Sequence, residues 1–144
     1  MLPTLLGRIQ TRIFATAVIG GLWAVLIGPL LPGMGSLGER YKAMYGVLLI
    51  VGVLGIIWEL SYHALQQFRW EKDWPTLFGL VTVVNEGVVT YLVAHSGVLS
   101  ATETIPPSAF LVGFLTTWLV IWLFLNGPMR IFSVHWRFNG GRLV

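Results

Sequence analysis

Two glutamates stand inside long apolar stretches of this sequence, where ionisable side chains are rare. Glu59 lies within residues 54–60 and Glu86 within residues 83–89. An acidic group in hydrocarbon costs about 2.5–3.5 kcal/mol on insertion scales, so such groups usually face a bundle interior or a water-filled cavity. The two glutamates are therefore candidates for proton or cation handling, for metal ligation, or for contacts between helices.

The pair Glu59 and His63 has the spacing that places both side chains on one helical face. The pair could act as a proton relay, as two metal ligands, or as a haem or pigment site through the imidazole. The preferred alternative is a hydrogen bond between neighbouring helices, with Glu59 protonated. A buried carboxyl group favours its neutral form, which makes this alternative physically reasonable.

Metal and haem sites fit the spacing of the histidines poorly. Di-metal carboxylate bundles use Glu-x-x-His from two helices, whereas this chain has Glu-x-x-x-His once. His63 and His95 lie at opposite ends of their apolar segments, which disfavours one haem held by both. We therefore predict no metal site and leave the cofactor unknown.

The sequence Asn85-Glu86-Gly87 is more specific than an isolated polar residue in an apolar segment. The Asn85 amide can bond a neighbouring helix, and Gly87 lets another backbone approach closely. Glu86 could serve proton or cation passage or could balance an arginine of a partner. The alternative is again a satisfied contact between helices.

Aromatic and basic residues near the C-terminus suggest a docking surface. Trp118 and Trp122 share one helical face, and Arg130, Trp136 and Arg137 follow in residues 129–144. The tryptophans fit ordinary packing or lipid contact, and alternatively a surface for another subunit, a quinone-like ligand or a pigment. The segment 129–144 reads as an interfacial tail that lies on headgroups or on a partner.

The composition assigns these residues to a membrane protein. The chain has 144 residues, 56% of them hydrophobic and 10% charged, with a mean hydropathy of +0.78. Soluble domains carry about 25% charged residues. Cysteine is absent, which excludes disulfides and thiolate chemistry. No nucleic-acid motif is present, so the basic excess is expected to report membrane topology.

Hydropathy predicts a single all-α integral membrane domain over residues 1–144, with four transmembrane helices. The expected spans are residues 9–31, 43–67, 74–95 and 109–125. Short interfacial segments are predicted at both ends, and Arg8 and Arg12, one helical turn apart, belong to the first. The charged turn 69–74 makes the second and third spans antiparallel neighbours, so Glu59 and Glu86 are expected at similar depth.

The distribution of basic residues predicts the orientation. Seven lie on the side of the termini, namely Arg8, Arg12, Arg69, Lys72, Arg130, Arg137 and Arg142, and two on the other, Arg40 and Lys42. Cytoplasmic loops carry the excess of Lys and Arg. We therefore predict cytoplasmic termini, in a bacterial cytoplasmic (inner) membrane.

Three functions agree with these features. We favour a small accessory or scaffold subunit of a larger membrane complex, in which Glu59 and Glu86 make interhelical or intersubunit contacts. The alternatives are an oligomeric proton- or cation-conducting or ion-coupled protein, and a haem- or pigment-binding subunit that uses His63. No catalytic motif is found. The expected partners are the lipid bilayer and other membrane subunits or further copies of this chain.

Overall fold

The computed structural model of the protein describes residues 4–68 and 76–144, and all regular elements in these ranges are helical. Helix α1 (Leu5–Leu30) begins at the cap Thr4, whose hydroxyl oxygen accepts from the Gly7 N–H at 3.1 Å. A π-helical turn over Ala15–Gly20 interrupts its regular pitch, and a 3₁₀ turn over Gly28–Leu30 ends it. The helix thus starts before the expected span and includes both arginines of the predicted interfacial segment.

Helix α2 (Leu37–Gln67) is the longest element, with 31 residues. Ser36 caps it, and the Ser36 hydroxyl and Glu39 carboxylate satisfy each other's backbone N–H groups in a capping box. At about 1.5 Å per residue the helix measures about 46 Å, which exceeds the ~30 Å hydrocarbon core of a bilayer. The predicted span 43–67 lies within this helix, which begins six residues before it.

Five further helices follow within the described residues. They are α3 (Thr76–Ala94), α4 (Ser100–Glu103), α5 (Pro107–Asn126), α6 (Pro128–Phe132) and α7 (Val134–Phe138). Helix α3 packs against α2 and α5, and α5 also packs against α1. The predicted turn 69–74 and the predicted start of the third span at residue 74 lie outside the described residues.

One apolar core lies toward the end of the bundle where α1 passes into α2 and α4 into α5. Its buried members are Ala24, Ile27, Leu31, Ala43, Met44, Val47, Leu48, Ile105, Ala109, Phe110 and Phe114. Gly113 lets α5 approach α2, since a Cβ at this position would lie 2.9 Å from the Met44 sulfur. This end of the bundle is therefore held by close packing of uncharged side chains.

The outer surface is apolar as well. Large aliphatic side chains such as Leu22, Leu49, Val53, Val84 and Leu92 are exposed along the helices. Among the described residues, three helical segments are long and apolar enough to cross a membrane: Leu5–Leu30, Leu37–Gln67 and Pro107–Phe132. Phe78–Ala94 is a shorter apolar segment. An all-helical protein with an apolar exterior and these lengths has the character of a membrane protein.

Candidate functional site

The two glutamates meet the two arginines of α1 inside the bundle, and we call Arg8, Arg12, Glu59 and Glu86 the ion cluster. Arg12 lies between the acids: its Nη2 donates to Glu86 Oε2, and its Nη1 lies 3.8 Å from Glu59 Oε1. Arg8 Nη1 lies 3.6 Å from Glu59 Oε2. Helices α1, α2 and α3 each contribute to the ion cluster, so it joins three helices.

The side chains of the ion cluster are largely buried, so their pairing matters for stability. The Glu86 side chain is 3% exposed, and the other three are 14–19% exposed. A buried ion pair recovers the cost of leaving water only when the opposite charge and further hydrogen bonds are in place. Each arginine of the cluster lies within 4 Å of a glutamate, and each glutamate lies within 4 Å of an arginine.

Polar neighbours extend the ion cluster at both ends. Gln66 Oε1 accepts from Arg8 Nη2 at 2.5 Å. The Tyr62 hydroxyl donates to Glu86 Oε1 at 3.3 Å and accepts from Asn85 Nδ2 at 3.0 Å. Asn85 therefore reaches Glu86 through Tyr62, although the two residues are adjacent in sequence.

Gly55 makes room for the arginine that links the two acids. A Cβ at position 55 would lie 2.6 Å from Arg12 Nε and 3.1 Å from Arg12 Cγ. The side chain of Arg12 therefore crosses α2 over a position that carries no side chain. This explains a glycine in the middle of a long helix, where glycine is less favourable than alanine by about 0.5–1 kcal/mol.

The histidines stand apart from the ion cluster. His63 is half-buried on α2, and its Nδ1 is buried without a hydrogen-bond partner among the described residues. His95 lies between two carbonyl oxygens, with Nδ1 3.0 Å from that of Tyr91 and Nε2 3.0 Å from that of Ile105. In the part of the chain that the structure describes, no group of three or more His, Asp or Glu side chains could hold a metal ion.

The C-terminal segment lies on the first helix of the same chain. The Thr4 N–H donates to the Gly140 carbonyl oxygen at 2.9 Å, and the Thr11 hydroxyl donates to that of Gly141 at 2.9 Å. Trp136 Nε1 donates to the Thr11 hydroxyl oxygen at 2.7 Å. The indole N–H of Trp136 is thus engaged within the chain, and the docking role of this residue stays a prediction.

The other predicted docking residues divide into two groups. Arg130 and Arg137 are exposed, and the Arg137 guanidinium lies 5.4 Å from the ring centroid of Phe138. Trp118 and Trp122 instead point into the bundle and line a cavity of about 280 Å³ together with Arg8, Arg12 and Glu59. The structure therefore places these two tryptophans beside the ion cluster, and not with the two arginines of the tail.

Sequence reasoning missed three residues of this site: Arg8, Arg12 and Tyr62. The two arginines come before the most apolar part of the first span, and they resemble the basic residues that usually flank a first span. One signal was present, because Leu5, Ile9 and Ile13 continue the helical pattern through both arginines. A second was the equal number of arginines in this segment and of acids in the apolar stretches.

The fold and the site together define an all-helical protein with the character of a membrane protein and a buried ion cluster of two arginines and two glutamates. Comparison of the chain with protein families, with curated proteins and with solved structures gives no match. The function must therefore be argued from the geometry alone.

Proposed function

We propose that the protein is a four-span integral membrane protein with both termini in the cytoplasm, the spans being α1, α2, α3 and α5. Helix α3 supports a count of four spans, because its 19 predominantly apolar residues extend over about 28 Å, close to the ~30 Å hydrocarbon core. The contact of residue 4 with Gly140 supports placing the two termini on one side.

The unequal distribution of basic residues still supports this orientation when Arg8 and Arg12 are left out of the count. Arg8 and Arg12 are used inside the ion cluster and no longer count as free flanking charges. The remaining basic residues on the terminal side are Arg69, Lys72, Arg130, Arg137 and Arg142, against Arg40 and Lys42 on the other side. The excess of positive charge therefore persists, as expected for a cytoplasmic face in a bacterial inner membrane.

The role we propose is that of an accessory subunit that binds another membrane helix, from a different subunit or a second copy of this chain. The observation that carries the proposal is an open apolar groove of about 360 Å³ between α1 and α2, lined by Ile13, Ala17, Gly21, Leu49 and Gly52 among others. Small residues let helix backbones approach closely in lipid, where packing and hydrogen bonds replace the hydrophobic drive.

Packing within the chain does not require glycine at two positions in the groove. A Cβ at Gly21 would meet nothing within 4 Å, and one at Gly52 would meet only Thr16 Cγ2 at 3.9 Å. Each glycine nevertheless lowers helix stability by about 0.5–1 kcal/mol relative to alanine. A helix that packs into the groove from outside gives these two positions a reason to stay small.

The test is the composition of the native complex. Purified in mild detergent, the wild type should elute with a second chain or as an oligomer, and Gly52→Leu should release the partner while the protein stays folded. Val84→Leu, on the exposed face of α3, is the matched control and should leave the complex intact. A wild-type monomer of 16.0 kDa plus detergent, or an unchanged complex in Gly52→Leu, would contradict the proposal.

No specific observation favours the two alternative functions, which are proton or cation conduction and haem or pigment binding. Both acids of the proposed conduction path face arginines, and the apolar core occupies the opposite half of the bundle. Among the described residues, His63 forms no hydrogen bond or ion pair with the ion cluster, and its Nδ1 has no hydrogen-bond partner. Proton flux into vesicles and a visible absorption spectrum of the purified protein remain the direct measurements for these alternatives.

A further inference from the structure

A cavity of about 280 Å³ lies between the ion cluster and α5, and we call it the aromatic cavity. Phe114, Trp118 and Trp122 supply rings to its wall, Leu48 and Ile121 supply aliphatic surface, and Arg8 lies at its polar end. Its volume is slightly below that of typical small-molecule sites, which measure about 300–1,000 Å³. Such a space suits the ring end of an amphiphile better than a whole two-chain lipid.

The aromatic cavity holds an unused hydrogen-bonding group. Thr117 is 4% exposed and lines the cavity, and its hydroxyl has no hydrogen-bond partner among the described residues. Threonine in a helix ordinarily bonds a carbonyl of the preceding turn, as the neighbouring Thr116 does to Val112 at 2.6 Å. A buried hydroxyl left without a partner costs free energy, so the position points to a ligand atom.

Two tryptophans of the aromatic cavity carry free donors as well. Over residues 4–68 and 76–144, the indole N–H groups of Trp118 and Trp122 donate to no protein acceptor, unlike those of Trp23 and Trp136. Both carboxylate oxygens of Glu59 already face arginines. The cavity therefore offers hydrogen-bond donors and aromatic faces to a ligand, and its single carboxylate is engaged.

We propose that the aromatic cavity binds a quinone-type lipid, a flat ring with carbonyl oxygens and an apolar chain. Carbonyl oxygens accept from the indole and hydroxyl donors, and the ring packs against the aromatic wall. Both arginines of the lining are already paired with glutamates of the ion cluster, so a neutral acceptor suits the cavity better than a fatty acid. The proposal is independent of the accessory role, because it concerns the inner face of α5 and not the groove between α1 and α2.

The experiment is a titration of the purified protein in detergent, with any co-purifying chain retained, using a short-chain menaquinone as the probe. Quenching of tryptophan fluorescence should saturate, and Thr117→Val should raise the dissociation constant about three- to tenfold, the loss of one hydrogen bond. Thr116→Val is the matched control, since Thr116 lies outside the cavity and its hydroxyl is already engaged by Val112 and Trp23. Both variants keep all seven tryptophans, so their signals are directly comparable.

A second variant and a second probe exclude trivial explanations. Trp122→Phe keeps a ring and removes the N–H, and it should reduce the menaquinone-induced rise in melting temperature, whereas Trp58→Phe, outside the cavity, should not. Non-saturable quenching, or equal affinity in Thr117→Val and Thr116→Val, would overturn the proposal. Saturable binding of palmitate with none of menaquinone would also overturn it, in favour of an acidic lipid.

Discussion

The two ends of the bundle are held together by different forces. At the end that carries the termini, the ion cluster joins α1, α2 and α3 through charged side chains. At the opposite end, the apolar core packs Met44 against α5 without any charge. Charge pairing in a buried site demands particular partner atoms, whereas apolar packing tolerates changes that conserve volume. We infer that the ion cluster determines which helix faces meet and that the core supplies close contact.

The largest expected effect is that of Glu86→Lys at the charged end. The substitution replaces a carboxylate that Arg12 contacts with a third cation, so like charges meet where the side chain is 3% exposed. We expect no folded protein, measured as loss of the monodisperse peak in gel filtration. Recovery of normally folded Glu86→Lys would contradict the role of the ion cluster in choosing helix partners.

Glu86→Gln should fold with reduced stability, because the amide keeps hydrogen bonds but leaves Arg12 with only the more distant Glu59. The expected loss in the free energy of unfolding is about 3 kcal/mol, as for buried pairs that lose one partner. Combining Glu86→Gln with Arg12→Met should recover part of this loss, because the uncompensated charge is removed. Additive effects of the two substitutions in denaturant unfolding would show that the residues are not coupled.

Met44→Ala tests the uncharged end by the same measurement. Met44 is 1% exposed, and its removal should lower the free energy of unfolding by about 2–3 kcal/mol through lost packing. Gly113→Ala in the Met44→Ala background should restore part of the loss, since its Cβ would occupy space that the Met44 sulfur leaves. In the ion cluster, a lost charge cannot be replaced by filling space with another side chain. If Gly113→Ala restores no stability to Met44→Ala, the contrast between the two ends is weakened.

Gly55→Ala probes the space that Arg12 occupies. The new Cβ would lie 2.6 Å from Arg12 Nε, so the arginine must move away from the acids. Relative to Gly38→Ala, where the Cβ meets nothing within 4 Å, Gly55→Ala should be less stable by about 1–3 kcal/mol. Equal melting temperatures of the two variants would show that Arg12 can leave this path without cost.

The smallest and most local effect is expected for Gly7→Ala. Its Cβ would contact the Gly140 carbonyl oxygen and lie 2.7 Å from Gly141 C, so the C-terminal segment should detach from α1. Amide exchange of residues 139–144 should accelerate, while the global stability changes by less than about 1 kcal/mol. Gly38→Ala, with open space around it, is the control, and unchanged exchange in Gly7→Ala would indicate another anchor for the segment.

Much of the helical architecture follows from composition and phasing. Gly52, Gly55, Glu59, His63 and Gln66 recur by three or four, and of these the structure buries Gly55 and brings Glu59 and Gln66 to the arginines. The hydropathy pattern is enough to locate this row of small and polar residues on one face of α2, because the rest of the helix surface is aliphatic. The helix-breaking residues around Pro32 and Pro106 likewise mark where chain segments end.

The partners of the acids could not be predicted in the same way. Whether Arg12 points to headgroups or into the bundle depends on the rotation of α1, and that rotation depends on contacts with α2 and α3 that no local pattern encodes. Tyr62 presented the same difficulty, because a tyrosine near the end of a span is typical of a membrane interface. In the tail, Gly140 and Gly141 are typical loop residues in the sequence. Their contact with Gly7 could not be predicted, because Gly7 is far away in sequence.

The π-helical turn at Ala15–Gly20 separates the half of α1 that carries Arg8 and Arg12 from the half that reaches the apolar core. A wider turn holds one additional residue, and each residue advances a helix by about 100°. The turn therefore rotates the two halves of α1 relative to each other. As a result, the first half directs its arginines toward the ion cluster and the second half directs aliphatic side chains toward the apolar core. Excising a single residue there would leave the length and hydrophobicity of the span nearly intact while swinging both guanidinium groups out of the protein interior.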